Sequence, residues 1–419
     1  MKTKCLAMMS PLCLCLLAGS ARAELEPFSL GASETIGHQS NFNHSDDSVR
    51  IADWTSTTEL NAAVDEALGR DKLVASGAVD FNRYKRQHSL DATGFRGAAE
   101  FDWNTIGDLS GAIGADANRR QYVSGETSDI VPVNSTTPTA TLINVRNLQT
   151  DTHQFARVSL GGESRWTIFG GVDANQRKYS NDLFSVNNER QWSTNAGTRY
   201  STSPDLSFGV QGSYLHGEYP HGSVLVPDAP SRFSSRSFDL TSKWQASGNS
   251  ALDATIGYTS DSNQALKGDN HFINGSVNWA WTPPSHFTVN VGFKRSSDAD
   301  PTTGVNVGIV NQNDLNGTSI NNVGHLEVTY SLTAKVNLDA SADYTQRRYA
   351  NVIDSATSTI SGSTRTARFY LTAHYQPTLT TDLSCGGGRE TRHVDADLVL
   401  FTPAYTDNYL QCVASIRFD

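Results

Sequence analysis

The sequence predicts an all-β protein, a transmembrane antiparallel up-and-down β-barrel of about eighteen strands behind an N-terminal signal peptide. Three observations lead there. Apolar and polar residues alternate with period two along the chain, the connections between alternating segments are short and long by turns, and the first residues carry an export signal. Only 37% of the 419 residues are hydrophobic, a low share for a water-soluble domain with a packed core. A water-filled barrel accounts for it, because half of every strand then faces water.

The leader comes first. Lys2 and Lys4 precede a mostly apolar run from Cys5 to Gly19, and Ala21-Arg22-Ala23 is a small-x-small cleavage site. This predicts a signal peptide over 1–23 and a barrel over 24–419. The formal charge is −10, and cleavage removes three cations and makes the balance more acidic. Such a chain is not expected to seek nucleic acid or an anionic lipid surface, both of which select basic chains. Of the five cysteines, Cys5, Cys13 and Cys15 leave with the leader, and none follows the cleavage site to carry a lipid anchor. Beyond residue 23 no apolar run approaches the roughly 18–20 residues of a transmembrane helix.

The strands follow in order. In the first half the alternation places them at 27–40, 54–68, 72–85, 92–104, 108–121, 149–163, 165–178, 188–201 and 205–217. In the second half they fall at 233–246, 250–262, 269–281, 285–297, 319–331, 334–348, 363–375, 377–392 and 406–418. The pattern is cleanest in Val336 to Tyr344 and Phe287 to Phe293, where apolar and polar residues alternate without a break. Short connections hold turn formers, as in Gly69-Arg70-Asp71, Ser247-Gly248-Asn249 and Thr282-Pro283-Pro284-Ser285. Long polar connections are expected at 41–53, 122–148, 218–232, 298–318, 349–362 and 393–405. Tight inner turns and longer outer loops are the asymmetry of bacterial outer-membrane barrels, and an even strand count puts both termini on the periplasmic side.

Aromatics gather at the short turns. Trp103 pairs with Leu109, Tyr200 with Leu206, Trp244 with Leu252, Trp281 with Phe287, Tyr330 with Val336 and Tyr375 with Leu379, a girdle at the membrane–water boundary. Val289 and Leu338 join the lipid-facing set near strand centres. The final strand, Leu410, Cys412, Ala414, Ile416 and Phe418 on one face, ends in an aromatic before Asp419. Phe418 is expected to form part of the signal read by the barrel-assembly machinery. A β-propeller is the architectural rival, but each repeat would need four short strands where this sequence has two long ones.

If the apolar set faces outer-membrane lipid, the opposite set lines a lumen. That set comprises Arg96, Glu100, Asp102, Asp116, Asp173, Arg177, Asp239, Lys243, Asp339, Asp343 and Asp382, with acids outnumbering bases. So many charges in a dry core would be prohibitive, so water must reach them. They either keep the channel wet or form a selectivity surface. Cys385 and Cys412 fall opposite each other on the last two strands if 393 and 404 close the hairpin. Both a cross-strand disulfide and a chance meeting of two small lipid-facing residues remain open. No nucleophile elbow, phosphate cradle, calcium loop or metal-spaced His pair is present. The reading is therefore of a non-enzyme with no cofactor and no metal. Gly386-Gly387-Gly388 lies within a strand and is read as room for a bend or close packing.

The opening Leu30-Gly31-Ala32 with Asn41-Phe42 after it, strand tops such as Asp80-Phe81-Asn82-Arg83-Tyr84, and the barrel end resemble EpsL-type outer-membrane proteins of exopolysaccharide loci, within the outer-membrane beta-barrel porin type 2 group. The resemblance implies an outer-membrane conduit for a polysaccharide cargo, working with periplasmic and inner-membrane export partners, and supplies no catalytic residues. The alternatives are a diffusion porin for small solutes and a structural or adhesive barrel acting through its outer loops.

Overall fold

The computed structural model describes residues 27–122, 146–161, 164–223, 226–227, 231–263, 268–297, 318–355, 358–398 and 402–418. The expected signal peptide and most of the connections at 122–148 and 298–318 lie outside the described residues.

Eighteen strands form one sheet. They are β1 (Phe28–Gln39), β2 (Asp53–Leu68), β3 (Asp71–Tyr84), β4 (Ala92–Asn104), β5 (Leu109–Gln121) and β6 (Leu148–Leu160). Next come β7 (Trp166–Tyr179), β8 (Glu189–Ser203), β9 (Leu206–Tyr219), β10 (Ser231–Ser247), β11 (Ser250–Asn263) and β12 (Gly268–Trp281). The last are β13 (Phe287–Ser297), β14 (Thr318–Thr333), β15 (Val336–Ser355), β16 (Ser358–Tyr375), β17 (Thr381–Val394) and β18 (Tyr405–Phe418). Each pairs antiparallel with the next. β18 returns to β1, from Leu30 opposite Phe418 to Gln39 opposite Tyr409, so the sheet closes and has no edge. Helix is confined, among the described residues, to short 3-10 turns at His88–Leu90, Asp182–Asn187 and Ala396–Leu398.

Alternation sorts the side chains onto two faces. Along β7 the outward residues Trp166, Ile168 and Val172 are each more than half exposed, which in water would be a severe liability and in lipid is the wall itself. At the short-turn end the register builds the aromatic band. Tyr200 stands opposite Trp166, with ring centroids 4.8 Å apart, and Phe287 stacks on Tyr330 at 4.6 Å. The turns are tight because their residues permit it: Leu68 pairs with Asp71 across Gly69-Arg70, and Gly69 takes φ +72°.

The register sets the offsets within the band. Trp244 stands directly opposite Leu252, whereas Trp103 lies opposite Gly111, Tyr200 opposite Phe208, Trp281 opposite Val289 and Tyr330 opposite Leu338, two residues beyond the apolar partner on the same face, and Tyr375 lies opposite Leu383, because Leu379 stays in the turn after Pro377. Val289 and Leu338 therefore belong to the band near the short turns rather than to mid-height, Leu338 standing opposite Tyr330. The loop expected at 349–362 is instead a long hairpin in which β15 and β16 continue to Ser355 and from Ser358, with ladder shifts between Tyr349 and Val352 and between Ile353 and Ser355. Its β-branched residues (Val352, Ile353, Thr359, Ile360) favour extended backbone even where no lipid demands alternation.

Candidate functional site: the inner wall and outer mouth

The inner face is polar because it is the alternate set on every strand, and cross-strand neighbours pair its charges. On β4, the guanidinium of Arg96 donates to Glu59 on β2 at 2.6 Å. Glu100 and Asp102 follow at two-residue spacing on the same face, Asp102 opposite Lys72. Asp116 on β5 and Asp173 on β7 flank one ring, His153 on β6, whose Nδ1 and Nε2 lie 2.8 and 3.1 Å from the two carboxylates. Both nitrogens can donate together only when the imidazole is doubly protonated. The Arg157 guanidinium sits 4.5 Å over the Phe155 ring and 3.9 Å from Asp173. Arg177 Nε donates to Asp151 at 2.9 Å, with Glu189 3.9 Å away.

Across the barrel, His325 lies 2.6 Å from Asp343, and His374 lies 3.1 Å from Asp339 and 3.9 Å from Asp382. Lys243 is exposed on β10, opposite Asp253. Asp239 differs from its neighbours. It is 1% exposed, accepting from Ser237 Oγ and Asn274 Nδ2 at 2.9 Å each, so it ties β10 to β12 rather than meeting the water.

The partners are not legible in a run of sequence. His153, His325, His374, Arg157 and Arg368 lie on neighbouring strands, 8 to 37 residues along the chain from the acids they meet, and only strand phase, applied to histidine as well as to Asp and Glu, finds them. Partly exposed pairs of this kind contribute about 0–1 kcal/mol each. Their larger effect is on the field inside the barrel.

Near the outer end, connection 40–52 folds onto β17 and β18. The Asn41 amide donates to Asp407 at 2.8 Å, and the Asn41 side chain closes its own turn, its Nδ2 donating to the Ser45 carbonyl at 2.7 Å. His44 lies flat on Tyr405 at 4.5 Å, and Arg392 covers the same ring at 4.7 Å. The Tyr405 hydroxyl donates to Glu390, which also accepts from Arg368 Nε at 2.7 Å. Burial holds the His44 pKa down at about 4, with Glu390 opposing the shift and Arg392 and Arg368 adding to it. Phe42, Tyr84 and Leu90 form a small buried cluster with Ile51, which joins this connection to the one at 85–91. Gly386 and Gly388 on β17 make room for two inward tyrosines. A Cβ on Gly388 would lie 2.8–2.9 Å from the rings of Tyr370 and Tyr409, which stack at 5.3 Å. On the outer face the ladder places Cys385 opposite Cys412, with the two sulfurs joined as a disulfide.

Solved structures share this architecture. The outer membrane protein OpdK of Pseudomonas aeruginosa is similar over 94% of this chain and 100% of its own, with a TM-score of 0.50 and 12% identity. OpdK crystallised with vanillate gives the same coverage and identity and a TM-score of 0.51. A BenF-like porin of Pseudomonas fluorescens covers 94% of this chain at a TM-score of 0.47 and 12% identity. No family model and no curated protein sequence matches the chain. The chain is an outer-membrane β-barrel. The closed sheet, the apolar outer wall and the likeness to the outer membrane protein OpdK agree on that, and the identity is low enough that the likeness extends to the fold alone.

Proposed function

We propose that the barrel is a diffusion pore for small water-soluble solutes, neutral or cationic rather than strongly anionic. The observation that carries this reading is the water access of its inner charges. The Asp116 and Arg157 side chains are about half exposed, at 47% and 58%, on the inside of a closed sheet, and a barrel of this strand number is wide enough for an aqueous channel. Arg96, Glu100, Asp102, Asp116, Asp173, Arg177, Lys243, Asp339, Asp343 and Asp382 line it in this reading. Polysaccharide export, with periplasmic and inner-membrane partners, rests on the EpsL resemblance alone, whereas porin-like solved structures support solute diffusion. Purified barrel in planar bilayers should give discrete, ohmic conductance, and proteoliposomes should swell in mono- and disaccharides. Absence of conductance would sink the pore. Passage of a long neutral polymer at rates near those of a disaccharide would return the reading to export.

A further inference from the structure

The outer wall over β6–β9 changes character along its height, and neither the lipid nor a pore requires the change. Even-numbered residues face outward on these four strands. Near the short turns they are apolar: Val158, Ile168, Val172, Phe208 and Val210 are all exposed. Toward the long connections the same face becomes Thr152, Gln154, Gln176, Arg190, Trp192 and His216, which line a groove of about 470 Å³. Ala174, directly opposite Trp192, leaves its floor open. Trp192 is 47% exposed and stands 6.0 Å from the His216 ring, so a flat aromatic surface faces outward beside two side-chain amides.

The charges are sorted as well. Arg190 and exposed Lys178 point outward, while the acids at the same end of these strands, Asp151 and Glu189, point inward to Arg177. Glu218 is the acid on the groove side, and it stands between two cations, opposite Arg190 on one strand and Arg232 on the other. Neither Arg190 nor Lys178 forms an ion pair with a carboxylate among the described residues. A chain of net charge −10 thus presents a locally basic, amide- and aromatic-lined surface immediately above an apolar strip. This overrides, at one place, the expectation that an acidic chain avoids anionic lipid.

We infer that this groove seats the phosphorylated sugar headgroup of an outer-leaflet glycolipid. The acyl chains run down over Val172 and Ile168, a sugar ring packs on Trp192 and bonds to Gln154 and Gln176, and a phosphate meets Arg190 and Lys178. A soluble anion would have no use for the apolar strip, and a plain hydrocarbon surface would have none for the groove. The long connections lie on the outer side of such barrels, which selects the outer leaflet. This inference is independent of what the lumen passes.

The test uses the full barrel, stripped of lipid in detergent and titrated with purified rough lipopolysaccharide. Thermal unfolding and gel-filtration retention are the readouts. Wild type should gain thermal stability and retain the glycolipid. Lys178→Gln with Arg190→Gln, and separately Trp192→Ala, should weaken retention about ten-fold or more while bilayer conductance stays at the wild-type level. Gln176→Glu, which places a charge in the groove without removing bulk, should weaken it too and guards against a folding artefact. The inference is overturned if these variants bind as wild type does, or if dephosphorylated lipopolysaccharide or phosphatidylglycerol binds equally well. It is also overturned if inorganic phosphate alone gives the same thermal shift, or if the groove variants instead abolish a lipid-independent oligomer.

Discussion

At His44, burial rather than a neighbouring charge sets the protonation state. The ring lies against Tyr405 with Asp407 3.9 Å away, yet its pKa falls from 6.5 to about 4 because the cation would lose its water. The sign follows from linkage: between about 6.5 and 4 the undocked chain binds the proton and the docked ring does not, so docking weakens as pH falls through that window and is unaffected above it. Exchange protection of the Phe42 amide, which donates to the Ile51 carbonyl at 3.0 Å, should therefore drop between pH 7.5 and pH 4.5. His44→Phe, which keeps a flat ring on Tyr405, should remove the dependence; protection that falls equally in both proteins would show that another group titrates. None of this was legible beforehand, since His44 sits in a polar connection and its partners are at the other end of the chain. The burial of Asp239 is hidden from the sequence for a related reason. Its phase was readable, but the Asn274 amide that covers it comes from a strand two places further round the sheet.

Single strands were the most legible part of the molecule, because a barrel wall between lipid and water forces every second side chain to one phase. β4 matches the alternation end to end, and β18 could be read from Leu410 to Phe418. Legibility stopped where that demand stopped. The hairpin that extends β15 and β16 needs no alternation, and its polar residues look like a loop. Mid-height positions follow from the observed register. Ile256, outward at the centre of β11, stands between Leu240 and Gly275, while its neighbour Thr255 takes the inner phase opposite Thr241. Ile256→Arg should cost roughly 2–4 kcal/mol in denaturant titrations in lipid, and Thr255→Arg far less. Equal losses would mean that the phase is wrong. Phe418, opposite Leu30 and 48% exposed, ends the apolar row of β18 at the point where the barrel closes. We propose that it is part of the assembly signal. Phe418→Ser should then lower the amount of heat-modifiable, folded barrel in the outer membrane, and unchanged folded levels would remove Phe418 from that role.

Across the whole molecule the faces divide the charge. Acids concentrate on the inner wall, and the groove side of β6–β9 carries exposed cations. The inner acids could be read as one set from strand phase alone, but their neutralising partners could not, and the partners set how large the resulting field can be. Arg157 beside Asp173 and Arg368 on Glu390 each offset part of the acidic excess. The lumen should therefore prefer cations only modestly. A low-dielectric wall focuses the field of its fixed charges into the channel, and salt screens it as the Debye length shrinks from about 30 Å at 0.01 M to about 3 Å at 1 M. Reversal potentials in asymmetric KCl should show cation preference in dilute salt that fades in concentrated salt. Asp339→Asn with Asp343→Asn should reduce it further, because the double change removes two carboxylates from the inner wall. The outward variants Lys178→Gln and Arg190→Gln should leave it unchanged, since their charges lie behind the wall. Anion preference in the wild type would overturn the acidic-lumen argument, and a preference that ignored salt would place its origin in pore size rather than in charge.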